Sequence, residues 1–229
     1  MVRYPILLFD ADGTLLDFEQ TEADALTETF RKFSLPLDGR IRKRYLEINH
    51  GLWKAFENGE ITKAQVLNTR FAQLFRELNL NGPTDGTFER CYQDALAYGH
   101  ALMPDALEVC RNLSRCHELY IVSNGVSSTQ FKRLDESGLR PFMKQVFVSE
   151  DVGYQKPMKE YFDYVERHIS GFDRKNALMI GDSLASDIRG GMMAGIDTCW
   201  YNPGCLAGGG QVKPDYEIRD LKELYEICG

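Results

Sequence analysis

Two aspartates one residue apart begin the chemistry of this chain: Asp10 and Asp12, in Asp10-Ala11-Asp12-Gly13-Thr14, directly after the apolar run Ile6 to Phe9. A carboxylate at a strand end can act as a nucleophile toward phosphorus, and the acyl phosphate it forms splits one hard displacement into two easier ones. A second carboxylate two positions on can donate a proton to the leaving oxygen and later take one from water. Gly13 lets the backbone turn sharply, and Thr14 can pin that turn through its hydroxyl. The same residue types also build an Asx turn that merely ends a strand, so the pentapeptide alone leaves both explanations open.

Three further places follow apolar runs in the same way. Ser123-Asn124-Gly125, after Leu119 to Val122, offers a hydroxyl and backbone N–H groups at a helix start that can hold phosphate oxygens, with Gly125 permitting close approach. Taken alone, Ser-Asn-Gly is also a generic turn. Lys156-Pro157 places an ammonium just ahead of a helical pattern from Met158, and Pro suits a first helical turn. That charge could neutralise a nucleophilic carboxylate and the phosphoryl oxygens, although a solvated lysine looks the same in sequence. Gly181 to Asp187, after Ala177 to Ile180, supplies Asp182 as an oxygen ligand of the kind Mg²⁺ takes, and Mn²⁺ accepts the same donors. Asp187 falls in the following helical turn, where a carboxylate also suits the helix dipole.

The elements that must position these residues are short apolar runs at Ile6 to Phe9, Leu119 to Val122, Val146 to Val148 and Ala177 to Ile180. Weaker runs lie near Thr198 to Tyr201 and Tyr216 to Ile218. Continuous runs of this length read as strands buried on both faces. Helical patterns lie between or after them at Asp105 to Cys116, Ser127 to Ser137, Met158 to Ile169, Leu184 to Met193 and Leu221 to Ile227, so strand and helix alternate as in a parallel α/β sheet. The stretch from Asp17 to about Tyr98 breaks the rhythm. It carries four long amphipathic patterns (Thr21 to Phe33, Ile41 to Glu57, Lys63 to Leu78, Phe88 to Tyr98) and no convincing strand, with Thr62 set to cap the third.

Composition narrows the partners. A net charge of −7 and 43% hydrophobic content describe an ordinary globular chain that repels nucleic acid and anionic membrane at long range, so a phosphate partner must be held locally. The apolar run before Asp10 is too short for a signal peptide core, and no stretch approaches the roughly 20 apolar residues of a membrane span. Six cysteines without a CxxC pair read as reduced thiols of a cytoplasmic protein. Four scattered histidines show no metal spacing, and Pro203 to Gly210 lacks the ending of a phosphate loop, which leaves a surface loop.

The four motifs, in this order, resemble those of the haloacid dehalogenase (HAD) superfamily: Asp10 to Thr14, the Ser123 turn, Lys156, and Gly181 to Asp187. The likeness implies a Rossmann-like parallel sheet core with helices on both faces, built from residues 1–16 and 100–229, plus a helical cap domain over residues 17–99. It further implies Mg²⁺ bound by Asp10, Asp12 through its backbone carbonyl, and Asp182; catalysis by Asp10, Asp12 and Lys156; phosphate binding by Ser123, Asn124 and Lys156; and support from Thr14 and Asp187. An acid at Asp12 points to a phosphatase or phosphomutase, since the family's dehalogenases lack one there.

The cap segment resembles that of pyrimidine nucleotide 5'-nucleotidases, which makes Asn49, Trp53 and Arg70 candidate substrate contacts. The plainer alternative is that Trp53 and Phe71 build the cap's own core. The expected partner is a small phosphorylated metabolite, a nucleotide by this resemblance, and the expected assembly a monomer or homodimer. Phosphoglycolate or sugar-phosphate phosphatases and β-phosphoglucomutase-like mutases share the same four motifs. A receiver domain also carries a phosphorylatable Asp and a distant Lys, but is about half this length.

Overall fold

The computed structural model describes residues 2–208 and 210–229, so Gly209 of the predicted surface loop lies outside the described residues. Six parallel strands form one sheet: β1 (Ile6–Phe9), β2 (Glu118–Ser123), β3 (Met143–Val148), β4 (Ala177–Gly181), β5 (Asp197–Tyr201) and β6 (Tyr216–Ile218). Their spatial order is β3-β2-β1-β4-β5-β6. The chain winds one way from β1 to β3, then crosses back to lay β4 on the other side of β1. Ligands of open parallel sheets bind where such a reversal occurs, outside the carboxyl ends of the strands.

The apolar runs are continuous because both faces of the sheet are covered. Alternate residues sort cleanly: Leu7, Phe9, Leu119, Ile121, Leu178 and Ile180 belong to one core, and Ile6, Leu8, Tyr120, Val122, Ala177 and Met179 to the other. After four helices in the inserted segment, α1 (Phe18–Lys32), α2 (Gly39–Glu57), α3 (Lys63–Leu78) and α4 (Thr87–Tyr98), come the helices of the sheet layers. They are α5 (Ala106–Leu113), α6 (Ser127–Glu136), α7 (Ser149–Val152), α8 (Lys159–His168), α9 (Arg189–Ala194) and α10 (Leu224–Cys228). Val109 and Leu113 of α5, Leu134 of α6 and Leu224 of α10 fill the first core, while Val152 of α7, Tyr161 and Val165 of α8 and Ala194 of α9 fill the second.

The chain divides into two compact units, Met1–Glu19 with His100–Gly229, and Gln20–Gly99. The second is wholly helical in its regular structure. Thr62 caps α3 as the sequence predicts, accepting from Gln65 N–H while the Gln65 side chain accepts from Thr62 N–H, a complete capping box. Its core is aromatic: Phe71 lies within 4.6 Å of Phe88, 5.1 Å of Tyr92 and 5.2 Å of Tyr45, centroid to centroid. Among the described residues, no helix is long and apolar enough to cross a membrane. All six cysteines are free.

Two helix starts differ from the sequence reading. The helix after Lys156 begins at Lys159, so Pro157 precedes it instead of occupying its first turn, and the Lys156–Pro157 bond is cis. Residues Leu184–Ile188 form a π-helical turn, with α9 starting only at Arg189. The wider turn leaves Asp187 directed back toward the strand ends.

Candidate active site

Strand register brings the motifs together. Phe9, the last residue of β1, pairs with Ile121 on one side and Ile180 on the other, and Asp10 N–H donates to the Ile180 carbonyl at 2.8 Å. Asp10 therefore emerges between the ends of β2 and β4, which carry Ser123 and Asp182. Asp10 thus meets residues more than 100 positions further along the chain at one end of the sheet.

Lys156 lies at its centre, 1% exposed. Its Nζ donates to Asp10 Oδ1 at 2.5 Å and to the Val122 carbonyl at 2.7 Å, and stands 2.8 Å from Asp187 Oδ1. Burial pulls its pKa down, but Asp10 and Asp187 outweigh that and hold it above its ordinary value. The ammonium is charged throughout the working range. Asn124 fixes its backbone at two points: Asn124 Nδ2 donates to the Lys156 carbonyl and Lys156 N–H donates to Asn124 Oδ1, each at 2.9 Å. The Asn124 side-chain amide is thus committed to holding Lys156.

The carboxylates converge. Single oxygens of Asp10, Asp182 and Asp187 lie within 4.8 Å of one another. Burial raises the Asp10 carboxyl well above the usual carboxylate range; Lys156 opposes this, and Asp187, Asp182 and Asp12 add to it. Asp182 opens to solvent on one side and packs into the site on the other; loss of water there, then the charge of Asp187, raises its carboxyl to about 7. Three carboxylates against one buried ammonium are short of positive charge, and hard oxygen donors at this spacing suit Mg²⁺. A cation fits this donor set.

The surroundings hold the carboxylates in place. Gly13 takes a left-handed backbone (φ +78°), and a Cβ there would sit 2.5 Å from Asp182 Oδ2, so only glycine leaves that oxygen room. Thr14 is fully buried, and its hydroxyl points at Asp182 Oδ1 at a long 3.4 Å instead of pinning its own turn. Trp200 Nε1 donates to the Asp182 carbonyl at 2.8 Å, and Ser183 N–H donates to Asp187 Oδ2 at 3.1 Å. Asp187 touches Lys156 directly and is more than a partner of a helix dipole.

Two residues of α6 that no sequence motif marks also belong to the site. Gln130 Nε2 donates to Asp12 Oδ2 at 2.8 Å, and Arg133 Nη1 donates to Asp12 Oδ1 in a short ion pair. Both are 1% exposed. The available signal was their three-residue spacing within the predicted helix Ser127 to Ser137, which puts both polar groups on one face with Leu134.

The chain is similar to known proteins. Residues 4–195 match the sequence model for haloacid dehalogenase-like hydrolases. The chain belongs to this family. YfnB of Bacillus subtilis, named a HAD-hydrolase and solved in an orthorhombic crystal form bound to magnesium, is 50% identical, with a TM-score of 0.92 over 98% of each chain. The pyrimidine 5'-nucleotidase PynA of Streptococcus pneumoniae is 39% identical over 97% of this chain and 94% of its own length. The pyrimidine 5'-nucleotidase YjjG of Escherichia coli is 30% identical over 99% of this chain and 98% of its own.

The predicted substrate contacts belong to the helical unit. Arg70 is 1% exposed, with Nε and Nη2 donating to Glu89 at 2.8 and 2.5 Å and Nη1 donating to Asn49 Oδ1 at 3.1 Å. Asn49 Nδ2 donates to Glu22 Oε1 at 2.9 Å. Both side chains are thus tied into a buried network within their own unit. Trp53 packs edge-on against Phe56 at 5.6 Å and is half-buried, so it alone of the three keeps free surface.

Proposed function

We propose that the protein is a Mg²⁺-dependent phosphate-monoester hydrolase acting through an aspartyl-phosphate at Asp10, with (deoxy)pyrimidine nucleoside 5'-monophosphates as its substrates. The observation that carries the chemistry is the Asp10 carboxylate at the β1 end, paired with the buried Lys156 ammonium beside Asp182 and Asp187. The substrate class is supported by the two pyrimidine 5'-nucleotidases that resemble this chain along nearly its whole length.

An oxygen of Asp10 attacks phosphorus as the ester P–O bond breaks, and Asp12 passes a proton to the departing oxygen. Water then attacks the aspartyl phosphate, giving its proton to Asp12, and inorganic phosphate leaves a regenerated Asp10 carboxylate. The transferring group carries its charge on its outer oxygens, so positioning and neutralisation provide most of the rate. Lys156 supplies fixed positive charge, and Ser123 supplies a hydroxyl donor to the phosphoryl oxygens. Mg²⁺ held by Asp10, Asp182 and the Asp12 backbone carbonyl would screen the nucleophile from the anionic substrate. Thr14 and Asp187 support the carboxylates and the lysine. Choice of substrate is assigned to the helical unit, with Asn49, Trp53 and Arg70 as its candidate contacts.

The test is a turnover panel in Mg²⁺ with dUMP, dTMP, UMP, phosphoglycolate and hexose phosphates. Pyrimidine nucleotides should give the highest kcat/KM. A preference for the sugar phosphates would overturn the substrate assignment, and turnover of none would overturn the phosphatase assignment. Asp10→Asn should abolish turnover in a folded protein.

A further inference from the structure

The hydroxyl of Ser123 has one hydrogen to donate and two lone pairs to fill. Both lone pairs are taken: Gly125 N–H donates to Ser123 Oγ at 3.0 Å, and Gln130 Nε2 donates to it at 2.9 Å. With both acceptor positions filled by protein, the hydroxyl is set as a donor, the polarity an anionic phosphoryl oxygen requires. Gln130 Nε2 carries a second hydrogen, and it goes to Asp12 Oδ2 at 2.8 Å. One amide nitrogen therefore touches both the hydroxyl and the acid.

The amide has one workable orientation. Gln130 Oε1 accepts from Arg133 Nη1 at 3.1 Å, and the same Nη1 donates to Asp12 Oδ1. Flipping the amide would set its oxygen against a carboxylate and its NH₂ against a guanidinium, replacing two attractions with two repulsions. Gln130 and Arg133 are buried, so bulk water does not stand in for these contacts. Gly125 serves the same end: a Cβ there would sit 2.7 Å from Gln130 Cγ and 2.8 Å from Cδ, so glycine at 125 makes room for Gln130.

We propose that Gln130 is a positioning residue whose single carboxamide orients the Ser123 hydroxyl toward the phosphoryl group and holds the Asp12 carboxylate in place for the leaving oxygen, with Arg133 locking the amide. This rests on the phosphatase reading and deepens it. Asp12 and Ser123 then act in register, because moving the amide disturbs both.

Leaving-group dependence separates this role from a merely structural one. An alkyl phosphate needs its departing oxygen protonated, whereas p-nitrophenyl phosphate releases a stable anion and depends little on the acid. Gln130→Met keeps the side chain's length and removes both donors. For Gln130→Met, kcat/KM should fall on both substrates through Ser123, and about tenfold further on an alkyl phosphate that the wild type turns over. Gly125→Ala, which displaces Gln130 without removing it, should show the same bias. Circular dichroism and thermal melting establish that each variant is folded. An equal fall on both substrates, or none, in a folded variant overturns the proposal. Asp12→Asn is the reference: it should show the bias more strongly, and equal treatment of both substrates by that variant would remove Asp12 as the acid and the inference with it.

Discussion

Replacing Lys156 by Met keeps most of its buried volume and removes the one ammonium among Asp10, Asp182 and Asp187. Its Nζ stands 2.5 Å from Asp10 Oδ1 and 2.8 Å from Asp187 Oδ1. At an effective dielectric constant of about 20, those separations correspond to gross attractions of roughly 7 and 6 kcal/mol. The lysine's own loss of water offsets several kcal/mol of that, and the carboxyl of Asp10, already raised by burial, can take up a proton once the lysine is gone. Removing one partner of a buried pair usually costs about 3–5 kcal/mol, and the expected destabilisation is of that size. Urea unfolding at pH 7 without metal measures it for the wild type, Lys156→Met, Asp10→Asn and the double variant. Because the two groups touch, the double variant should be more stable than the sum of the single effects predicts, by at least about 1 kcal/mol. Additive effects would show that Lys156 and Asp10 are not coupled. On turnover, loss of the fixed charge should lower kcat at least about 100-fold.

Two further predictions rest on single residues. Gly13→Ala puts a Cβ against Asp182 Oδ2 and forces a non-glycine residue into a left-handed conformation; the Mg²⁺ concentration for half-maximal activity should rise about tenfold or more, and an unchanged metal requirement would remove Asp182 from the cation's ligands. Glu22 lies in the helical unit's buried network, where burial raises its carboxyl above the ordinary value and Arg70 opposes the shift. A raised folded-state pKa means the fold holds that proton more tightly, so the group's contribution is complete in acid and is lost as pH rises through the folded value. The melting temperature of Glu22→Gln minus that of the wild type should therefore increase from acid toward neutral pH, and a flat or falling difference would contradict the shift.

Much of the core was legible because its strands are buried on both faces. Continuous apolar runs such as Ile6 to Phe9 and Ala177 to Ile180 need no partner to be recognised, and each is followed within two residues by a carboxylate. The helical unit was legible through its 3.6-residue periodicity and the Thr62 cap, which depends on neighbours three positions away. Gln130 and Arg133 escaped because what marks them is burial beside Asp12, a contact across more than 100 residues that helical spacing does not encode. The burial of Asn49 and Arg70 escaped for the same reason. Polar side chains in an amphipathic helix look exposed, yet Arg70 on α3 meets Glu89 on α4 and Tyr45 on α2, and Asn49 on α2 meets Glu22 on α1.

Residue chemistry and local order were therefore carried by the sequence itself: a nucleophile and an acid at Asp10 and Asp12, a hydroxyl at Ser123, an ammonium at Lys156 and carboxylates at Asp182 and Asp187, each at or beyond a strand end. Which of these meet was decided by the tertiary structure. The strand order β3-β2-β1-β4-β5-β6 sets β1 between β2 and β4, and only that reversal brings Asp10, Ser123 and Asp182 to adjacent strand ends. The π-helical turn at Leu184–Ile188 returns Asp187 to Lys156. That strand order is a long-range choice, made by the packing of two helical layers on one sheet, and no local pattern of residues specifies it.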